Sequence, residues 1–266
     1  MRGLKRAGPG ALLILLMAGL AQAAEPASPT VLITGASRGI GLELARQYAD
    51  RGWRVIATAR NPDRSDGLQA LASDNPAVQL EVLDVTDQAQ VDALAAQLRG
   101  QPIDILINNA GILGDVDAQR FGQFDFAVFD QIMAVNTKGP LRVTQALLDN
   151  VAISEQKKIM NVSSAVGSIK LAFGGQTFYR ASKAALNMAM RNLAKEMRRD
   201  KDENRKQLIF GLIDPGVVDT GFAKNVPIPM IQADESAAAV IAVIDAFEDR
   251  KQSGRFYTYT GKELPW

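Results

Sequence analysis

From residue 30 onward, short apolar runs alternate with longer amphipathic stretches, and this rhythm constrains the fold more than any other feature of the chain. The runs fall at 30–34, 54–59, 78–83, 103–107, 158–162, 208–213 and 256–258. Several are continuous, as in Val31-Leu32-Ile33 or Ile105-Leu106-Ile107, which suits strands covered on both faces. Helical periods occupy 40–50, 66–73, 87–99, 127–149, 177–199 and 234–248. The alternation predicts an α/β fold: a single doubly wound parallel sheet of about seven strands with helices on both faces. Two places break the pattern. Gly139-Pro140 interrupts the fourth helical stretch and predicts a kink or a boundary there. Residues 163–176 are rich in Ser and Gly, carry no helical period and are expected to form a loop over a substrate.

With 266 residues, 47 % of them hydrophobic, the chain can build one sizeable domain over 30–266. It contains no cysteine and no histidine. Thiolate nucleophiles, disulfides, imidazole bases and nearly every zinc site are thereby excluded, no metal is expected, and acid–base chemistry falls to Tyr, Lys, Asp or Glu. A formal charge of +1, with acids and bases mixed along the chain, points to neither nucleic acid nor an anionic membrane as partner.

The first residues differ. Arg2, Lys5 and Arg6 precede an apolar run over 11–20 and then Ala21-Gln22-Ala23, the order of a secretory signal peptide. Residues 1–23 are expected to be such a leader and 24–29 a linker, making the mature protein periplasmic or secreted. The run is too short for a stable membrane span. An uncleaved anchor, or a true start at Met17 that leaves a cytoplasmic protein, are the alternatives.

Thr34-Gly35-Ala36-Ser37-Arg38-Gly39-Ile40-Gly41 joins the first strand to the first helix. Glycines there permit a tight turn and let a pyrophosphate approach the backbone N–H groups at a helix N-terminus. Gly35, Ser37, Arg38, Gly39, Ile40 and Gly41 are therefore candidate cofactor contacts, and the sheet is expected to be Rossmann-like. NAD-dependent enzymes place a carboxylate at the end of the second strand. No acid stands between Trp53 and Asn61, whereas Arg38 and Arg60 could meet a 2′-phosphate, so NADP is favoured over NAD.

Tyr179 and Lys183 are four residues apart, on one face of a predicted helix, and of the tyrosines at 48, 179, 257 and 259 only Tyr179 has a lysine at this spacing. A nearby ammonium can lower the pKa of a phenol. Bringing a tyrosine from about 10 to neutrality takes roughly 4 kcal/mol, which a unit charge about 4 Å away supplies at an effective dielectric near 20.

Together with Asp84-Val85, Asn108-Asn109-Ala110-Gly111, Asn136, Ser164 and Asp214-Pro215-Gly216, all in order, these motifs make residues 30–266 resemble the short-chain dehydrogenases/reductases. Within that family the chain looks most similar to C-factor and sniffer-like carbonyl reductases. The resemblance implies that Tyr179 donates a proton to a carbonyl oxygen and that Lys183 assists it while holding the nicotinamide ribose, so both also touch cofactor. Ser164 would bind the substrate oxygen and Asn136 a proton-relaying water. Asp84 and Val85 would lie at the adenine, Asn108 and Gly111 along the adenosine ribose and sheet edge, and Pro215, Gly216, Val217 and Thr220 at the nicotinamide. The implied activity is hydride transfer to a small carbonyl substrate, or from an alcohol. Leu113, Val166, Phe173, Val217, Phe222 and Met230 would form a mostly apolar pocket. A homodimer or homotetramer through 127–149 and 177–199 is also implied. A short segment from Val217 to Ala233 and a signal-like leader on an NADP enzyme depart from the pattern. The leader and the C-factor likeness leave open an exported nucleotide-binding signalling protein.

Overall fold

Among the described residues, seven strands form one sheet in the order β3-β2-β1-β4-β5-β6-β7, and every pairing is parallel. The computed structural model describes residues 3, 28–221 and 229–266, so the leader apart from Gly3, the linker through Ala27, and Phe222 lie outside the described residues. The strands are β1 (Thr30–Thr34), β2 (Arg54–Ala59), β3 (Val78–Val82), β4 (Ile105–Asn108), β5 (Lys158–Val162), β6 (Ile209–Asp214) and β7 (Arg255–Thr258). Helices α1 (Gly39–Asp50), α2 (Asp66–Asp74), α3 (Gln88–Gln97), α4 (Phe126–Met133), α5 (Gly139–Ala152), α6 (Thr177–Met197) and α7 (Ala233–Asp245) connect them. No helix among the described residues is long and apolar enough to cross a membrane.

The continuous apolar runs are explained by burial on both sides. Successive strand residues face opposite ways. Val31 and Ile33 pack with Leu44 and Tyr48 of α1 and Val240 and Ile244 of α7, whereas Leu32, Leu106 and Ile159 pack with Leu94 of α3, Val143 of α5 and Leu186 of α6. Each such side chain contributes roughly 1.5–3 kcal/mol by leaving water.

Most element boundaries agree with the sequence reading to within a residue or two. The fourth strand starts at Ile105 rather than Ile103 because the preceding Asp104 uses its carboxylate as a splice. Oδ2 accepts from Thr30 N at 2.8 Å, and Oδ1 from Glu155 N and Gln156 N at 3.2 and 3.3 Å. The predicted helix over 127–149 is two helices, α4 and α5, joined by a π-helical turn at Ala134–Lys138. Gly139 and Pro140 open α5, where a missing proline N–H costs no helical bond.

Strand order reverses between β1 and β4: β1 continues one way to β2 and β3, while β4 leads the other way to β5, β6 and β7. Loops after the two strands diverge at this point and leave a crevice beyond their carboxyl ends, the place where open α/β sheets bind ligands.

Candidate active site

The turn from β1 to α1 lies in that crevice and is fitted to its neighbours too closely for side chains. Gly35 (φ +69°) would bring a Cβ to 2.8 Å from Ala110 Cα, and Gly39 (φ +57°) to 2.9 Å from Thr220 Cγ2. A Cβ on Gly41 would stand 2.3 Å from the carbonyl oxygen of Gly35. Thr34 Oγ1 accepts from the backbone N of Asn109 and Ala110 at 3.0 and 3.1 Å. In return, Asn109 Nδ2 donates to the carbonyls of Thr34 and Gly35 at 3.0 and 3.1 Å. Ser65 Oγ donates to Ser37 O at 2.6 Å and Ala36 N to Thr58 O at 2.8 Å, which brings the turn to the end of β2. Arg38 and Arg60 are exposed on this side, with no ion-pair partner among the described residues. Ile40 packs against the core.

The other candidate cofactor contacts divide into two groups. Asp84 is half-buried after β3, its Oδ1 accepting from Thr86 N and Oγ1 at 2.8 and 2.7 Å, and buried Val85 packs against Gly139. Gly111 lies by Asn136 and Lys183. Pro215 O accepts from Ser236 Oγ at 2.8 Å, Val217 O accepts from Ile231 N at 2.9 Å, and Gly216 (φ +82°) and Thr220 carry the loop after β6 back toward Gly39. Asn108 is different. Its side chain is 2 % exposed, and Nδ2 donates inward to Thr144 Oγ1 and Asn161 Oδ1 at 3.1 and 3.0 Å. The side chain therefore joins β4 to β5 and α5 rather than lining the crevice.

Tyr179 and Lys183, 8 % and 4 % exposed, lie in the first two turns of α6. Lys183 Nζ donates to Val162 O at 2.9 Å, and it stands 5.8 Å from the Tyr179 ring centroid. The Tyr179 phenol hydrogen-bonds the side chain of Ser164, which caps a short helical turn after β5. Asn136 is fully buried in the π turn. Its Oδ1 accepts from Ile112 N at 2.8 Å while Nδ2 donates to Ile112 O at 2.8 Å and Ser182 Oγ at 3.1 Å. A Cβ on Gly111 would lie 3.5 Å from Asn136 Oδ1 and 3.7 Å from Lys183 Nζ, so the three meet at one point. All four predicted catalytic residues are thus brought to the carboxyl ends of β4 and β5.

Burial weighs on both groups. Burial raises the Tyr179 phenol well above its ordinary value; the Ser164 hydrogen bond opposes this, and the Asp214 carboxylate adds to it. Burial also pushes the Lys183 ammonium down to about 8, against the pull of Asp214. The spacing that places both groups on one helix face places both in the interior, and desolvation disfavours phenolate and ammonium alike. Burial is the largest influence on the Tyr179 phenol in the chain alone, and it favours the protonated form, a donor.

Two participants carried no assigned role in the sequence. Gln119, fully buried, donates from Nε2 to the carbonyls of Leu113 and Asp115 at 2.8 and 3.0 Å and accepts from Tyr179 N at 2.9 Å. A lone glutamine in a loop carries no recognisable pattern. Asp214 accepts from Ala165 N at 2.8 Å and from Gly216 N, and burial holds its carboxyl above the usual range. Its Asp-Pro-Gly context marked the motif but not the contact with the Ser164 loop. Of the predicted apolar pocket, Leu113, Val166 and Val217 are half-buried, while Phe173 is 81 % exposed and stacked beneath the Arg180 guanidinium at 3.9 Å. Met230 is 37 % exposed.

A glycine turn bare of side chains at a sheet reversal, beside a buried phenol bonded to a serine, suits a Rossmann-type oxidoreductase. The chain belongs to the short-chain dehydrogenase/reductase family: the profile described as short chain dehydrogenase matches residues 29–229. It is 34 % identical over 242 residues to 1-hydroxy-2-glutathionyl-2-methyl-3-butene dehydrogenase of Rhodococcus sp. (strain AD45), covering 89 % of this chain and 99 % of that one. It is 35 % identical over 175 residues to C-signal of Myxococcus xanthus, covering 65 % and 99 %. Among solved structures, an NADPH-bound carbonyl reductase from chicken fatty liver aligns with TM-score 0.81 and 32 % identity, over 90 % of this chain and 99 % of that one.

Proposed function

We propose that this oxidoreductase uses NADP to transfer hydride between nicotinamide and a small, mostly apolar aldehyde or ketone, or the corresponding secondary alcohol. The observation that carries the reading is the buried phenol of Tyr179, bonded to Ser164 and adjoining Lys183 at the mouth of the glycine turn. The residues present fit the cofactor: Gly35, Gly39 and Gly41 leave the backbone bare where a pyrophosphate would approach, and Arg38 and Arg60 replace the acid that a free ribose 2′-hydroxyl would want. The NADPH-bound carbonyl reductase supports the same choice.

Bound nicotinamide supplies the hydride in reduction and accepts it in oxidation. The chain's own groups handle the proton and the orientation. Ser164 and Tyr179 together hold the carbonyl oxygen, and Tyr179 Oη delivers its proton as negative charge develops there. Lys183, fixed by Val162 O, stands beside the emerging phenolate, and Asn136 fixes the Ile112 backbone near Gly111 and Lys183. Half-buried Leu113, Val166 and Val217 make the approach apolar. Replacing Tyr179 by Phe should lower turnover by at least about 10²-fold while NADPH binding is retained. Unchanged turnover in steady-state assays with a panel of aldehydes and ketones would refute the mechanism.

The likeness to C-signal supports a second reading, an exported nucleotide-binding signalling protein. Under it, biological activity survives Tyr179→Phe but is lost with the cofactor cradle. Export rests on the leader alone, and N-terminal sequencing of the protein from the producing cells should begin at Ala24. A sequence beginning at Met17 would place the protein in the cytoplasm. A homodimer or homotetramer is proposed on the family resemblance.

A further inference from the structure

Between the C-terminal half of α6, the start of β7 and the chain end lies a cleft of about 240 Å³ lined by cations. Arg191, Lys195 and Arg198 project from one face of α6, at helical spacings of four and three. Lys251 and Arg255 face them from the other wall. Two carboxylates are engaged with these groups: Glu263 chelates Arg255, both oxygens at 2.8 Å, and Asp249 lies 3.7 Å from Lys251. The whole chain balances 30 basic against 29 acidic residues, so this accumulation is local.

Like charges at these helical spacings oppose one another. The helix dipole compensates Lys195 and Arg198 at the end of α6, but not Arg191, nearly two turns back, nor the two cations from another element. Neutral groups hold the cations in place. Arg198 Nη2 donates to the carbonyls of Arg250 and Ser253 at 2.8 and 3.1 Å, and the Arg191 guanidinium lies 4.2 Å over the Trp266 ring. Gly254 (φ +81°) lets the turn approach α6 closely: its Cβ would stand 3.1 Å from that of Ala194. Positive groups oriented by carbonyls and a ring are preorganised for an anion.

We propose that this cleft binds a small phosphate-bearing anion, at a site separate from the cofactor cradle. Arg191 lies about 18 Å along α6 from Tyr179 at 1.5 Å per residue, toward the amino end of β7, where Arg255 begins the strand. Guanidinium forks match phosphate oxygens, and Lys195 and Lys251 add mobile point charges at the rim.

The test is calorimetric titration of the full-length protein, saturated with NADP so that the cradle is filled, with inorganic pyrophosphate. Saturable binding of one pyrophosphate with a sub-millimolar Kd is expected, weakened at least about tenfold in Lys195→Gln/Lys251→Gln. Both lysines are exposed, so circular dichroism should show that variant folded. Trp266 emission should change on binding. Absence of saturable heat up to about 5 mM, or binding indifferent to the lysine changes, overturns the proposal. Should the protein fail to bind NADP, pyrophosphate reaches both sites, and the lysine variant must then lose one of two; failure of the cofactor reading is thus distinct from failure of this one.

Discussion

Lys183 is a buried ammonium with an ordinary value of 10.5 brought down to about 8. Between those values the unfolded chain binds more protons than the folded one, so stability rises with pH across this window, and below pH 8 the full cost of the buried charge is present. Cofactor-free protein should gain of order 1–3 kcal/mol between about pH 7.5 and 10, a gain that Lys183→Met reduces, buried Lys158, also lowered by desolvation, supplying the remainder. The slope should reverse above about pH 10, where unfolding frees the buried phenols of Tyr48 and Tyr179, both raised by burial, to ionise. Urea unfolding at a series of pH values measures both limbs. A flat profile in the wild type would show that Lys183 is more solvated than its surroundings indicate. The spacing of Tyr179 and Lys183 was plain in the sequence. Their net electrostatic balance was not, because desolvation depends on every element packed around α6.

At the level of the element, α6 begins without a local cap. Gln176 precedes it in a left-handed conformation (φ +49°), its side chain capping nothing, and the N–H of Tyr179 in the first turn is satisfied by Gln119, 60 residues away. Gln119 thus acts as a positioning residue, tying the loop after β4 to the backbone that carries the phenol. Gln119→Ala leaves Tyr179 N and two loop carbonyls without this partner, and should cost about 1–3 kcal/mol of stability. A tilt of the first turn should also lower kcat by about tenfold or more, with little change in NADPH affinity. Equal losses in kcat and in cofactor affinity would instead indicate general loosening of the crevice. The π turn at Ala134–Lys138 is a second such device. Gly139-Pro140 announced a break in the helix, but only the packed structure shows that the extra backbone turn brings Asn136 to Ile112 and Ser182.

For the whole molecule, the crevice at the sheet reversal is where stability and cofactor meet. A ligand that binds only the folded chain stabilises it by about 2.7 kcal/mol at a concentration 100 times its Kd. NADPH at a fixed concentration should therefore raise Tm more than NADH, and Arg38→Gln/Arg60→Gln should remove most of the difference while leaving the Tm of the free protein within about 2 °C, since both side chains are exposed. Equal shifts with the two nucleotides would mean that the arginines do not select the phosphate. Fold class, strand–helix alternation, the glycine turn and the pairing of Tyr179 with Lys183 on one helix were legible in the amino-acid order, because each rests on local chemistry: periodicity, backbone freedom at glycine, or a spacing within one helix. The tertiary structure alone decided that Asn108 faces inward, that Gln119 serves Tyr179, that Phe173 stands in solvent and that burial raises the phenol. Those outcomes depend on contacts between residues distant in the chain and on the dielectric that packing creates, and neither quantity is written into any short stretch of sequence.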